Sequence, residues 1–346
     1  MRALFRLLLC GSLLALAGCA VERSKEEPPR VFPPPPAEAR FLLERTMFGS
    51  NDLAETSKAK TMIALLARSK YEIDNVGEGM SRPQAVASHK SRVFIINGSD
   101  SSVSVFDLSN RVYSRVGNQG TVILKSPSGL SIDKQGNLFV ADSETNFILV
   151  FDQHGRYARS IGGPNWLTSL TNVTVDPVTR RLYAIEAGYR QSRIRVFDTL
   201  DGHHLFDFGV YGDGPGEFNT PYDLTVGAGE RLYVVDSGNF RVQIFDSEGH
   251  YQASFGSAGK RPGQFARPRE ISADPKGNIY IVDASLGNFQ VFDADGNFLY
   301  RIGEHGEDGG PGKYMLPSGI DVDEEGKVYV VDQWYRRLDI FRSLPK

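Results

Sequence analysis

The stretch RFLLERTMFGS, residues 40–50, reads as the closing strand of a repeat unit that has not yet begun. Further on, HYQASFGS (250–257) and NFLYRIGE (297–304) each close a longer repeated unit, whereas nothing of the kind precedes residue 40. An ending that comes first makes sense only if the last unit of the chain lacks one.

The units are marked by an apolar strand that ends in Phe-Asp: VSVFD, ILVFD, IRVFD, VQIFD, FQVFD and finally LDIFR. Their phenylalanines, Phe106, Phe151, Phe197, Phe245, Phe292 and Phe341, are separated by 45, 46, 48, 47 and 49 residues, so six units of nearly constant length follow one another. A representative unit, EFNTPYDLTVGAGERLYVVDSGNFRVQIFDSEGHYQASFG (217–256), reads as four strands: a (YDLTV), b (RLYVVD), c (RVQIFD) and d (HYQASFG). The turns DSEGH and DPKGN carry the Asp, Asn and Gly that tight hairpins need. Strand b is apolar on both faces, as expected of a sheet stacked between other sheets.

Four-stranded sheets repeated at this interval specify a β-propeller, with an open β solenoid as the competing architecture. The chain ends decide between them. The sixth unit supplies strands a (GIDVD), b (KVYVVD) and c (RLDIF), and then the chain stops without a fourth. Residues 40–48 complete it from the other end, which leaves no open edge between the first and last blades. The expectation is an all-β, six-bladed propeller over 40–346, closed by an N-terminal strand, with one short helical insertion at 51–70. In that insertion Asp52 and Glu55 resemble a capping box, and Ala59, Met62, Ile63 and Leu66 share a helical face.

Two stretches, PSGLSIDKQGNLFVADSETNFILVFDQHG (127–155) and PREISADPKGNIYIVDASLGNFQVFDADG (268–296), resemble NHL repeats. The resemblance covers roughly residues 81–346 and implies the six-bladed fold. It says less about activity, because that family includes RNA binders, protein-binding platforms and a lyase of amidated-peptide maturation.

Composition agrees with a single β domain: 36 Gly, 21 Phe and 14 Tyr suit many short strands joined by tight turns. The formal charge of −3 is far from the basic balance of a nucleic-acid-binding domain, so no nucleic-acid partner is expected. Arg2 and Arg6, the apolar run LLLCGSLLALA (7–17) and LAGC (16–19) resemble the signal peptide and lipobox of bacterial lipoproteins. That resemblance implies a signal over 1–18 and lipidation of Cys19; an ordinary secretory signal with an incidental cysteine is the competing reading. Ala20 after the cysteine implies outer-membrane sorting in a Gram-negative host, with the domain facing the periplasm or the cell surface. Residues 19–39, polar and then proline-rich, read as an extended tether. With Cys10 in the signal and Cys19 acylated, no cysteine chemistry remains.

Two groups of residues are candidates for function. The loops joining d to a and b to c share one face, and they place Trp166, Tyr189, Arg190, Phe240, Arg241, Trp334, Tyr335 and Arg336 on its rim. Aromatics beside arginine are what interface hot spots use, although packing between blades explains such residues equally well. At the start of strand a, where the NHL pattern has glycine, the six occupants are Ala85, Gly129, Asn172, Asp223, Glu270 and Gly319. Asn172, Asp223 and Glu270 should therefore converge on the central channel, with Asp321 two residues deeper on blade 6. They suit a hard cation such as Ca²⁺, or else form an ion-paired or amide-paired channel mouth. The histidines argue against zinc: His154, His203, His204 and His250 fall by the c–d turns on the opposite face, His89 lies after strand a, and only His305 is in a rim loop. The favoured reading is a lipid-anchored envelope module that binds a protein or envelope ligand on its loop face. The alternative is a metal-dependent hydrolase or lyase using Asn172, Asp223 and Glu270, and a pure scaffold is the third.

Overall fold

The computed structural model describes residues 30–54, 77–176 and 178–345. In it the chain is a six-bladed β-propeller. Blade 1 comprises Pro83–His89, Arg92–Asn97, Ser102–Asp107 and Val112–Val116, in that order from the axis outward. Blades 2 to 5 repeat the pattern from inner strands Pro127–Ile132, Leu170–Val175, Pro221–Val226 and Pro268–Ala273. The six inner strands touch in cyclic order, the sixth returning to the first, so the ring is closed around an axial channel.

Closure is made as the sequence requires. Blade 6 takes Pro317–Val322, Lys327–Asp332 and Arg337–Ser343 from the end of the chain, and Phe41–Met47 pairs antiparallel with the last of these, from Phe41 opposite Ser343 to Met47 opposite Leu338. A bulge between Leu43 and Arg45 lets this one strand serve both neighbours. Phe41 and Leu43 pack with Tyr280, Phe289 and Tyr314 towards blade 5, while Met47 packs with Val93, Ile95 and Phe106 towards blade 1. The tether is shorter than expected, because Val31–Phe32 adds a fifth strand on Phe41–Leu42 and sets the Phe32 ring against Phe341, centroids 5.7 Å apart. The apolar aromatic offers contact area that an extended tether in water would leave exposed.

Each interface between successive blades holds its own apolar cluster, built from the two-faced b and c strands. Every strand b carries a buried polar residue at or, on blade 3, two residues before its end: Asn97, Asp142, Glu186, Asp236, Asp283 and Asp332. Each accepts a backbone N–H from the loop arriving from the previous blade, at Ser81, Lys125, Thr168, Asn219, Ala266 and Met315, over 2.6–3.0 Å. These bonds satisfy amides that the interior would otherwise leave unpaired, and they fix the loop face to the sheet beneath it.

The insertion differs from expectation where it is described. Ser50–Leu53 forms a short 3₁₀ turn whose N-cap is Gly49, and Asp52 sits inside the turn, accepting the amides of Phe48 (2.6 Å) and Gly49 (3.0 Å). Its carboxylate serves the donors upstream of it, so it does not cap a helix that follows. Residues 55–76, with Glu55 and the helical face expected at Ala59, Met62, Ile63 and Leu66, lie outside the described residues, as do Cys19 and the signal.

The closing strand predicts a graded response to truncation. A chain starting at residue 37 loses only the short fifth strand and should keep a single, slightly lowered melting transition. A chain starting at residue 49 exposes the c strand of blade 6 and should aggregate, and Phe41→Ala should cost about 3–5 kcal/mol in denaturant melts. Equal melting of the two truncations would contradict ring closure.

Candidate functional site

An inner strand has a neighbour on one side only, so its axial edge presents amides to the channel. Side chains of adjacent blades meet them. Asp223 Oδ2 accepts the amide of Ile271 on blade 5 (2.9 Å), while its Oδ1 accepts Leu224 N (2.8 Å) and Asn172 Nδ2 from blade 3 (2.9 Å). Glu270 Oε2 accepts Ile320 N on blade 6 (3.0 Å) and reaches Val86 N on blade 1 (3.4 Å). Asn172 turns its own Oδ1 to Val173 N (2.7 Å). The three residues therefore do converge, and what they hold is backbone.

The glycines of this ring are explained by their neighbours. A Cβ on Gly129 would lie 1.8 Å from Asn172 Oδ1, and one on Gly319 would lie 2.7 Å from Glu270 Oε2. A second ring below repeats the device. Asp321 Oδ2 accepts both the amide and the hydroxyl of Ser88 (2.6 Å each), and its Oδ1 accepts the Ser272 hydroxyl (2.9 Å). Ser272 Oγ in turn accepts Val322 N (3.1 Å), and Ser131 Oγ accepts Val175 N (3.0 Å). The rings enclose a cavity of about 130 Å³ bounded by Asn172, Asp223, Glu270, Ser272 and Asp321.

Three carboxyls in so small a space favour the protonated form. Burial pushes Asp223 up to about 7, assisted by the Asp321 charge and opposed by the Ile271 and Leu224 amides. Burial likewise raises Asp321 to about 6, against the bonds from Ser88 and Ser272. Glu270 is raised well above the usual carboxylate range, by burial first and then by the charge of Asp223. Neither Asp223 nor Glu270 pairs with Arg269 among the described ion pairs. Among the described residues, no group of three or more His, Cys, Asp and Glu side chains is arranged to hold a metal ion.

Five of the b–c turns have four residues and that of blade 3 has two, Tyr189 and Arg190; each ends in a residue of left-handed conformation: Ser101, Asn146, Arg190, Phe240, Gly287 and Arg336, with φ of 51–65°. This geometry divides the expected rim residues. Tyr189 is 93% exposed and Trp334 64% exposed, each followed closely by an exposed arginine, Arg190 or Arg336. Phe240 is half-buried against the cluster between blades 4 and 5. Arg241 pairs with Asp236 (2.9 Å) and donates to the carbonyls of Gly214 and Glu217 (2.8 and 2.9 Å). Tyr335 donates its hydroxyl to Gly306 O (2.8 Å) beneath the Arg337 guanidinium. These three are committed to packing.

Trp166 corrects the sequence reading of the faces. It is 47% exposed, but its ring stacks on His204 at 5.1 Å and 22°, a histidine assigned to the far side of the molecule. The cause is the tight turn in which Gly163 O accepts the amides of Trp166 and Leu167 (2.9 and 2.8 Å). It drives Leu167 into the core and throws Trp166 onto the flank of blade 3.

One feature escaped the sequence reading. The register of every inner strand shifts just after its first residue, so one bulged residue per blade sits at the loop-face end of its inner strand: Gln84, Ser128, Thr171, Tyr222, Arg269 and Ser318. The only signal is the position after the unit's opening proline, which the NHL pattern leaves free.

A pH series tests the channel. The three carboxyls hold protons in the fold that they release near pH 4 when unfolded, so their contribution is full in acid, and that of Asp321 and Asp223 is lost as pH rises through about 6 and about 7. The melting temperature should fall between pH 5 and 8, and Asp321→Asn should flatten that fall. A wild-type melting temperature that rises over this range would show the carboxyls to be ionised.

Comparison with known proteins supports the architecture. A family model described as a 6-bladed beta-propeller matches residues 227–288 and 275–338, and an NHL repeat model matches residues 124–151. Among curated proteins, the peptidylglycine alpha-amidating monooxygenase of Rattus norvegicus is 31% identical over 136 residues, covering 35% of this chain and 14% of the relative. The chain thus spans about a seventh of that protein's length. A protein of unknown function from Bacteroides thetaiotaomicron superposes with a TM-score of 0.62 and 17% identity, over 78% of this chain and 71% of the other. An auxiliary nutrient binding protein from the same organism superposes with a TM-score of 0.60 and 11% identity, again over 78% and 71%. At these identities the structural likeness is one of fold.

Proposed function

We propose that this NHL-type propeller is a lipid-anchored module of the bacterial cell envelope that binds a protein or envelope ligand on its loop-rich face. One observation carries the reading. At the b–c turns of blades 3 and 6, Tyr189 with Arg190 and Trp334 with Arg336 stand in solvent, and no described group pairs with either guanidinium. A large aromatic beside an unpaired arginine can be desolvated by a partner with gain on both counts. The channel residues, by contrast, are occupied by backbone amides, which supports a structural role for Asn172, Asp223 and Glu270. The similarity in fold to a nutrient binding protein is consistent with a binding role, and the amidating monooxygenase shares too little of its length to bring its activity here.

Site-specific crosslinking tests the face. A photoreactive residue in place of Tyr189 or Trp334 should give adducts in intact envelopes, whereas one in place of His154 on the opposite turns should not. Adducts from His154 alone would move the binding face to the other side.

The anchor rests on the sequence of residues 1–19. Lipid transfer needs a thiolate, so Cys19→Ser should leave unprocessed or soluble protein, read by fractionation and fatty-acid labelling. Unchanged membrane association of this variant would remove the anchor.

A further inference from the structure

The channel mouth carries an unspent positive charge. Of the six bulged residues at the loop-face ends of the inner strands, Ser128, Thr171 and Ser318 return their hydroxyls to the carbonyls of Ala141, Ile185 and Pro83 (3.3, 3.2 and 2.9 Å). Gln84 lies over Gly98, where an added Cβ would meet its amide at 2.3 Å. That leaves Tyr222 and Arg269, on adjacent blades. The Arg269 guanidinium stands over the Tyr222 ring at 5.5 Å, and its buried Nε has no hydrogen-bond partner among the described residues. A buried donor left unpaired is costly, and a water, an ion or a ligand group can relieve it.

Arg267 adds a second cation. It lies two residues before Arg269, in the bend that leads into the inner strand opening at Pro268. Its amide is pinned by both carboxylate oxygens of Asp283 (3.1 and 3.0 Å), whereas its side chain is exposed and has no described partner. Burial raises the pKa of the Tyr222 hydroxyl, Arg269 and Arg267 lower it and Glu270 and Asp223 raise it, which places both guanidinium groups, as well as the two channel acids, within electrostatic reach of the phenol. The acids that face this corner, Asp223 and Glu270, lie one residue deeper and are turned to the amides of blades 5, 6 and 1.

We propose that the mouth of the channel is an oxyanion site in which Arg269, Arg267 and the Tyr222 hydroxyl hold a carboxylate of the ligand. A planar guanidinium presents two parallel N–H groups to the two oxygens of a carboxylate, and the phenol adds a third donor. Stacking on Tyr222 fixes the plane of the fork before the ligand arrives, which reduces the ordering cost of binding. This site rests on the loop face as the binding face and narrows its ligand to one bearing an acidic terminus or substituent. It lies on the axis, whereas the exposed aromatics lie on the rim, so a ligand spanning both is held at two kinds of contact.

The test is calorimetric titration of the purified wild-type protein with benzoate, with its uncharged isostere benzamide, and with inorganic phosphate. Benzoate should bind and benzamide should not. Arg269→Gln should weaken benzoate at least about tenfold, and Tyr222→Phe, which removes only the hydroxyl, about threefold, each with an unchanged melting transition. Lys134→Gln, a cation of the opposite face, should have no effect. Equal binding of benzoate and benzamide, or equal loss in Lys134→Gln, overturns the site, and binding of phosphate without benzoate overturns its carboxylate character. Crosslinking from Tyr189 and Trp334 does not depend on Arg269, so loss of this site would leave the rim reading separately measurable.

Discussion

A propeller brings six strand edges together around one axis, and each edge carries amides that no further strand can pair. Water can enter only a narrow cavity there, so side chains have to take the bonds. Asp223, Glu270, Ser272 and Asp321 do so across the blade boundaries, each accepting an amide of the following blade. The oxygen-bearing residues that replace the repeat's usual glycine are a consequence of this geometry. So are the remaining glycines, since Asn172 and Glu270 occupy the space that a Cβ at 129 or 319 would need. The same accounting, applied to the loop face, gives the buried polar residues at or near the ends of the b strands.

The constraint also explains why the acids are tolerated. A carboxylate that accepts two amides is well solvated by the protein, but three acids around about 130 Å³ cannot all be charged without strong repulsion. Protonation relieves it. The first ring is in this sense asymmetric: its polar side chains, Asn172, Asp223 and Glu270, come from blades 3 to 5, while Ala85, Gly129 and Gly319 on blades 1, 2 and 6 have no polar side-chain atom to give.

How much of this is legible in the sequence follows from what each element depends on. The repeat and its closure are legible, because the Phe-Asp marker and the missing fourth strand are features of chain order, and Phe41–Met47 fills the gap in register with blade 6. The convergence of Asn172, Asp223 and Glu270 is legible too, since the inner strand has one position per blade. What they bind is not, because an amide on the next blade leaves no mark in composition. Trp166 shows the limit for loops. Its place on the flank with His204 depends on two hydrogen bonds to Gly163 O, whose turn could not be told from an open loop. Val31–Phe32 shows the limit at the boundary, where a strand of two residues lies within a proline-rich run that otherwise reads as tether.

The two rings and the mouth above them are electrostatically linked. Two arginines at a mouth lined below by three ionised carboxylates would face a field of the wrong sign for an anion, at distances where the low local dielectric makes it strong. Burial reduces this field: it raises Glu270 well above the usual carboxylate range, Asp223 to about 7 and Asp321 to about 6, so the channel carries less negative charge near neutral pH than three ordinary carboxylates would. The residues that close the inner seam therefore do a second thing without touching the ligand: to the extent that they are protonated they leave the mouth positive. A seam of amides or hydroxyls would have satisfied the backbone equally well but would have fixed the mouth charge at every pH. Carboxyls near their midpoint make it depend on pH, with the positive character greatest in acid and declining as the channel ionises.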